Sequence, residues 1–162
     1  MALRKIVVEG DDVLRKKAKD VAEVNERIQT LLDDLWETLE ENNGVGLAAP
    51  QVGVLRRVAV IVTGAGEEEG GVKVELINPR IVEAEGAKEE DEACLSIPGM
   101  VGTVTRPTRV KVEALDRRGE PFTIEGEDLL AKALCHELDH LDGILFVDRA
   151  SSVRPIEEEE TQ

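Results

Sequence analysis

Apolar residues recur at helical spacing in the stretch NERIQTLLDDLWETLEENNG. Ile28, Leu31, Leu32, Leu35, Trp36 and Leu39 fall on one stripe, which predicts an amphipathic helix with a core-facing side. Asn25 suits its N-cap and Gly44 its stop. Upstream, DDVLRKKAKDV reads as a short helix. From RRVAVIV onward the period changes, and Val58, Val60 and Val62 alternate as in a half-buried strand. GAGEEEGG, residues 64–71, reads as a turn or mobile loop. VKVELINPRIVEAEG reads as extended segments broken near Asn78 and Pro79. In TRVKVEALDRRGEPFTIEG, Val110, Val112 and Ala114 alternate, Arg118-Gly119 can turn, and Phe122 and Ile124 alternate again, which predicts a hairpin. A second strong helix runs from about Glu127 to Leu141 and stops at Gly143. The tail SSVRPIEEEETQ is polar and reads as disordered. There is no internal repeat and no linker. The expected fold is α+β, with short antiparallel strands packed around the C-terminal helix and an amphipathic helix near the N-terminus. Residues 1–150 form a single domain in this reading, and residues 151–162 an acidic tail.

Composition narrows the function. The 162 residues suit one domain, and the 41% hydrophobic fraction is ordinary. Aromatics make up only 2%, so Val, Leu, Ile and Ala must fill the core. A formal charge of −15 argues against nucleic acid or an anionic membrane as a direct partner, since both need a basic footprint. No apolar run reaches the length of a membrane span. The apolar stretch in MALRKIVVEGDD is too short for a signal peptide. Without a secretory signal, Cys94 and Cys135 read better as a metal ligand, a catalytic thiol or buried hydrophobes than as a disulfide, and the expected compartment is the cytoplasm.

The last helix carries the chain's only two histidines, in His136-Glu137-Leu138-Asp139-His140. At about 100° per residue the two imidazoles lie about 40° apart on one face and can reach one metal ion. Glu137 points beside that ion, where a water-activating base belongs. Leu129 and Ala133 fall on the same face and would form an apolar wall, whereas Leu130, Leu134, Leu138 and Leu141 cluster on the core side. Histidines at this spacing also occur by chance on solvent-facing helices, but the adjacent face here is strongly apolar. Gly143 extends the pattern to H-E-x-x-H-x-x-G, yet Phe146 stands where a third histidine would follow. A catalytic site needs a third ligand and an open position. Cys135 points about 100° away from His136. Glu157, Glu158, Glu159 and Glu160 lie downstream with no helix to aim them. Cys94, in DEACLSIPG between a charged run and a Pro98-Gly99 turn, could enter from a strand or loop, or could be a core cysteine.

Three segments together resemble the peptide deformylase family: GVGLAAPQVG (residues 44–53), EACLS (residues 92–96) and HELDH (residues 136–140), followed by a similar DGILFVDR. The resemblance spans about residues 3 to 149. It implies a hydrolase that removes the formyl group from N-formylmethionine of nascent chains and releases formate. It implies that Cys94, His136 and His140 hold one divalent ion, with water or hydroxide in the fourth position. The ion is Fe²⁺ in many bacterial members, and Zn²⁺, Ni²⁺ or Co²⁺ can take its place. Glu137 would be the proton carrier. The Gln51 carboxamide and the Leu95 backbone N–H would be donors to the oxyanion. Val45 and Gly46 would bind an extended peptide, and Leu129 and Ala133 would receive the methionine side chain. Two positions depart from the family pattern. Ala93 replaces the usual glycine, at a cost of about 1 kcal/mol or more if its φ is positive and at none if it is negative. The short acidic tail offers no basic helix for docking on a ribosome, so proximity to the ribosome would have to be achieved without it. The rival readings are an H-E-x-x-H zinc peptidase with a downstream acidic ligand, and a non-catalytic domain with a closed structural metal site.

Overall fold

The computed structural model describes residues 2–63 and 72–156. The loop expected over residues 64–71 and the glutamates at 157–160 lie outside the described residues. Two sheets and two long helices make up the fold of the described residues. The element order is α1 (Glu26–Glu41), β1 (Gly46–Ala48), β2 (Val58–Thr63), β3 (Val72–Glu85), β4 (Lys88–Cys94), β5 (Ile97–Arg106), β6 (Arg109–Leu115), β7 (Pro121–Glu127), α2 (Asp128–Leu141), a short α3 (Phe146–Arg149) and β8 (Ser152–Pro155). One sheet has the order β1-β2-β3-β6-β7 and the other β4-β5-β8, and every pairing within them is antiparallel. The α+β expectation holds.

Helix α1 begins where the sequence predicts. The Asn25 side chain accepts a hydrogen bond from the Ile28 N–H at 3.2 Å, satisfying a donor that the first turn leaves orphaned. It ends before Gly44, because Asn43 already takes the left-handed turn at φ 53°. Its stripe packs Leu31, Leu32, Leu35 and Leu39 on Val58, Val60 and Ile77 of one face of the large sheet. Helix α2 packs Leu134, Cys135 and Leu138 on Ile61, Val74 and Leu76 of the opposite face. Strand β2 therefore lies between two helices. Val58, Ala59, Val60 and Ile61 are all fully buried, which corrects the half-buried expectation. A strand covered on both faces needs no polar alternation.

Other boundaries also shift. DDVLRKKAKDV yields only a 3₁₀ turn, Asp12–Arg15. Asn78 and Pro79 do not break the extended run. They form an irregularity inside one continuous β3, with Asn78 at φ 51° and its side chain bonded to the Val21 backbone on both sides. The charged run before Cys94 is a strand, β4, and Pro98-Gly99 lies inside β5 at a register shift. Against the expected disorder of residues 151–162, Ser152–Pro155 forms a strand paired with Met100–Thr103 of β5. The predicted hairpin is present as β6 and β7, with Gly119 at φ 82° in its turn.

Candidate metal centre and cleft

Strand β4 presents Glu92 and Cys94 to the interior, because side chains two apart share a face. Helix α2 presents His136 and His140 to the same space. The candidate donor atoms of Cys94, His136 and His140 lie within 4.8 Å of one another. Cys94 Sγ is 3.2 Å from His140 Nε2, and His136 Nδ1 is 2.9 Å from the Glu92 carboxylate. That second contact places the His136 proton on Nδ1 and leaves Nε2 free to bind a metal. One thiol sulfur and two imidazoles are a fitting donor set for a transition-metal ion, and no fourth protein ligand competes for the open position among the described residues. Cys135 belongs to the cluster between α2 and the large sheet, facing away, and burial pushes its thiol up to about 11.

The centre forms the floor of a cleft of about 200 Å³ between β1, β4 and α2. Val45, Gly46, Gln51, Cys94, Leu95, Leu129, Ala133, His136 and Glu137 all line it, and of the ten residues expected at the site only the more deeply buried His140 does not. Val45 and Leu129 are exposed apolar side chains at its mouth. Ala93 is harmless: it lies in β4, and the non-glycine residues with positive φ are Asn43, Asn78 and Asp128.

Glu137 is 4% exposed, and its Oε1 has no hydrogen-bond partner. Burial pushes its carboxyl up to about 7, where it can take and return a proton near neutral pH. A Cβ on Gly46 would sit 2.5 Å from Glu137 Oε2, so the glycine makes room for this carboxylate as well as for a ligand. His140 is held well below 6.5, first by burial and then by neighbouring positive charge, so it stays neutral as a ligand must. His136 is raised well above 6.5: burial opposes its charge, but the neighbouring Cys94 thiol and Glu92 carboxylate outweigh it. An ion would compete with that proton.

A buried ionic network supports the centre, and it is absent from the sequence reading. Arg106 donates to both Glu92 oxygens at 2.8 and 3.0 Å and to Asp139 at 2.6 Å, and Arg149 clamps Asp139 from the other side at 2.6 and 3.0 Å. Burial opposes the Glu92 charge, but bonds from His136 and Arg106 outweigh it and hold the carboxyl at about 2. Only the i, i+2 spacing of Glu92 and Cys94 could have signalled that both face inward. Phe146, at the position of the missing third histidine, stacks on His136 with ring centroids 6.3 Å apart. It is 1% exposed, and a Cβ on Gly102 would touch its ring at 2.8 Å.

Comparison with known proteins agrees with this geometry. The polypeptide deformylase family profile matches residues 3–155. The chain is 58% identical to a peptide deformylase of Acetivibrio thermocellus over all of this chain and 91% of that one. It is 56% identical to that of Thermoanaerobacter pseudethanolicus over all of this chain and 97% of that one. The crystal structure of a peptide deformylase from Legionella pneumophila superposes with a TM-score of 0.87 at 48% identity, covering 93% of this chain and 87% of that one. A Synechococcus elongatus peptide deformylase in complex with actinonin superposes with a TM-score of 0.85 at 37% identity, covering 92% and 79%.

Proposed function

The chain belongs to the peptide deformylase family, and from that premise we propose which of its residues carry the reaction. The reaction itself is the family's: hydrolytic removal of the formyl group from nascent peptides. Cys94, His136 and His140 hold one divalent ion, a reading supported by the convergence of their donor atoms on the cleft floor. Fe²⁺ is the proposed ion. Zn²⁺, Ni²⁺ and Co²⁺ suit the same sulfur and nitrogen donors. When bound, the ion supplies Lewis acidity toward water and the formyl oxygen.

The rest of the work falls to side chains and backbone. Glu137 Oε1, without another partner, accepts a proton from the attacking water and returns it to the departing amine. Gln51 Nε2 and the Leu95 N–H donate to the formyl oxygen as it gains charge. Val45 and Gly46 on the β1 side receive the peptide backbone. Leu129 and Ala133 on the first turns of α2 receive the methionine side chain, which suits their place on the cleft wall. The catalytic unit is one domain. The workplace is the cytoplasm near the ribosome, where formylated nascent chains emerge. Loading the purified protein with Fe²⁺ or Zn²⁺ and measuring formate released from a formyl-Met peptide tests the reading. One ion per chain with turnover is the expected result. A metal-free chain that still turns over would refute the site.

A further inference from the structure

Gln51 sits in the short 3₁₀ turn Ala49–Val52 and is 1% exposed. Its two ends are distinguishable, because Oε1 accepts the Ala48 N–H at 2.9 Å. Nε2 must therefore face the opposite way, where it meets Ser96 Oγ at 3.2 Å and Cys94 Sγ at 3.5 Å. An amide nitrogen carries two in-plane hydrogens, and only one of them can be spent on the formyl oxygen. Sulfur is a weak acceptor, so the good acceptor for the other hydrogen is Ser96. That serine is fully buried in the tight turn between β4 and β5, two residues after Cys94. The turn is anchored from outside, since the Ser96 carbonyl accepts the Glu9 N–H at 2.7 Å.

We propose that Ser96 is a positioning residue for Gln51: its hydroxyl takes one Nε2 hydrogen and thereby aims the other past Cys94 Sγ into the cleft. The inference rests on the role assigned to Gln51 above and adds the group that orients it. The terminal amide torsion of glutamine is broad, so it needs an outside partner to fix its plane. Ala48 fixes one end and Ser96 the other. Because Cys94 and Ser96 share one turn, the same backbone segment sets both the sulfur and the amide beside it.

The test uses zinc-loaded protein with Ser96→Ala, Ser96→Thr, Gln51→Ala and the Gln51→Ala/Ser96→Ala double variant. Ser96→Ala is expected to lower kcat about tenfold, a fraction of what losing an oxyanion donor outright costs, with KM and zinc content unchanged. Ser96→Thr, which keeps the hydroxyl, restores most of the rate. In the Gln51→Ala background Ser96→Ala has no further effect. The Gln51 side-chain amide signals in a ¹H–¹⁵N NMR spectrum are separated and protected from solvent exchange in the parent, and lose that protection in Ser96→Ala. Unaltered amide signals, or an equal kcat loss with and without Gln51, overturn the proposal. Altered signals with unchanged kcat in Ser96→Ala and in Gln51→Ala leave Ser96 as the orienting group and refute instead the role of Gln51 in turnover. Should Ser96→Ala not fold, Ser96→Cys keeps the side-chain shape with a larger, weaker acceptor and carries the same comparison.

Discussion

Replacing Glu92 by glutamine removes one buried charge at the junction between the metal ligands and the ionic network. The carboxylate is 3% exposed and accepts from His136 Nδ1 and twice from Arg106. Holding it at about 2 instead of its ordinary 4.5 corresponds to about 3 kcal/mol at 1.36 kcal/mol per pKa unit. Removing one partner of a buried ion pair costs about 3–5 kcal/mol. Asp139 still faces Arg106 at 2.6 Å in the variant, which argues for the lower end, about 3 kcal/mol. For a chain of this size that lowers the thermal midpoint by about 6–12 °C. Loss of the Nδ1 acceptor's charge also loosens His136, and metal affinity falls about 10–100-fold. The pH dependence has a defined sign. A carboxyl with a depressed folded pKa contributes stability above its unfolded value near 4.5 and loses it as pH falls toward about 2. The parent therefore loses more stability than Glu92→Gln across that window. Thermal melts at pH 7 and in acid, with metal release to a chelator followed in parallel, give both numbers. A variant that melts with the parent and releases metal at the same rate would show that the network is incidental to the centre.

The remaining predictions concern the centre itself. Cys94→Ser is expected to lose metal and most activity, while Cys135→Ser keeps normal metal content because its thiol faces the sheet; metal analysis of both purified variants decides the matter. Glu137→Gln keeps its metal but loses at least about a hundredfold in turnover, since an amide cannot accept the proton, and its arrival without metal would instead make Glu137 a ligand. Gly46→Ala places a Cβ 2.5 Å from Glu137 Oε2 and is expected to lower kcat about tenfold or more with metal retained, as activity and metal assays on the same preparation would report. Iron-loaded protein is expected to lose activity in air and zinc-loaded protein to keep its own, because a thiolate beside Fe²⁺ is open to oxidation; specific activity against hours of aeration separates the two.

Much of this architecture is legible in the chain, and the failures have physical causes. Both long helices were readable because each shows a single apolar stripe, and the cap at Asn25 marks a start that no packing overrides. Strand β2 reads as half-buried from its alternation because a single sequence does not say that helices cover both faces. Strand β4 is not legible because KEEDEAC carries five charges and only its last residues turn inward, the strand being exposed at one end and buried at Glu92 and Cys94. Strand β8 is not legible either: its four residues are mostly exposed and gain their order from pairing with β5. The ionic network was out of reach. Nothing in the sequence sets Arg106, Asp139 and Arg149 apart; the fold buries the first two and places the third against them.

The position three after Gly143 shows why helix periodicity alone could not yield the third ligand. Gly143 turns the chain at φ 77°, so close to the carbonyl of Arg15 that a Cβ would lie 2.6 Å away. The chain then returns beneath His136, where a longer H-E-x-x-H pattern would deliver another imidazole. Here it delivers the ring of Phe146, which packs on Gly102 and behind His136. That space is filled by carbon, so the remaining donor has to come from the other side. It comes from β4, a strand with period two, which brings Cys94 to the two imidazoles and Glu92 to the back of His136 in a single stroke. The helix fixes the angle between the histidines. The strand fixes both the sulfur and the tautomer of the ring it faces.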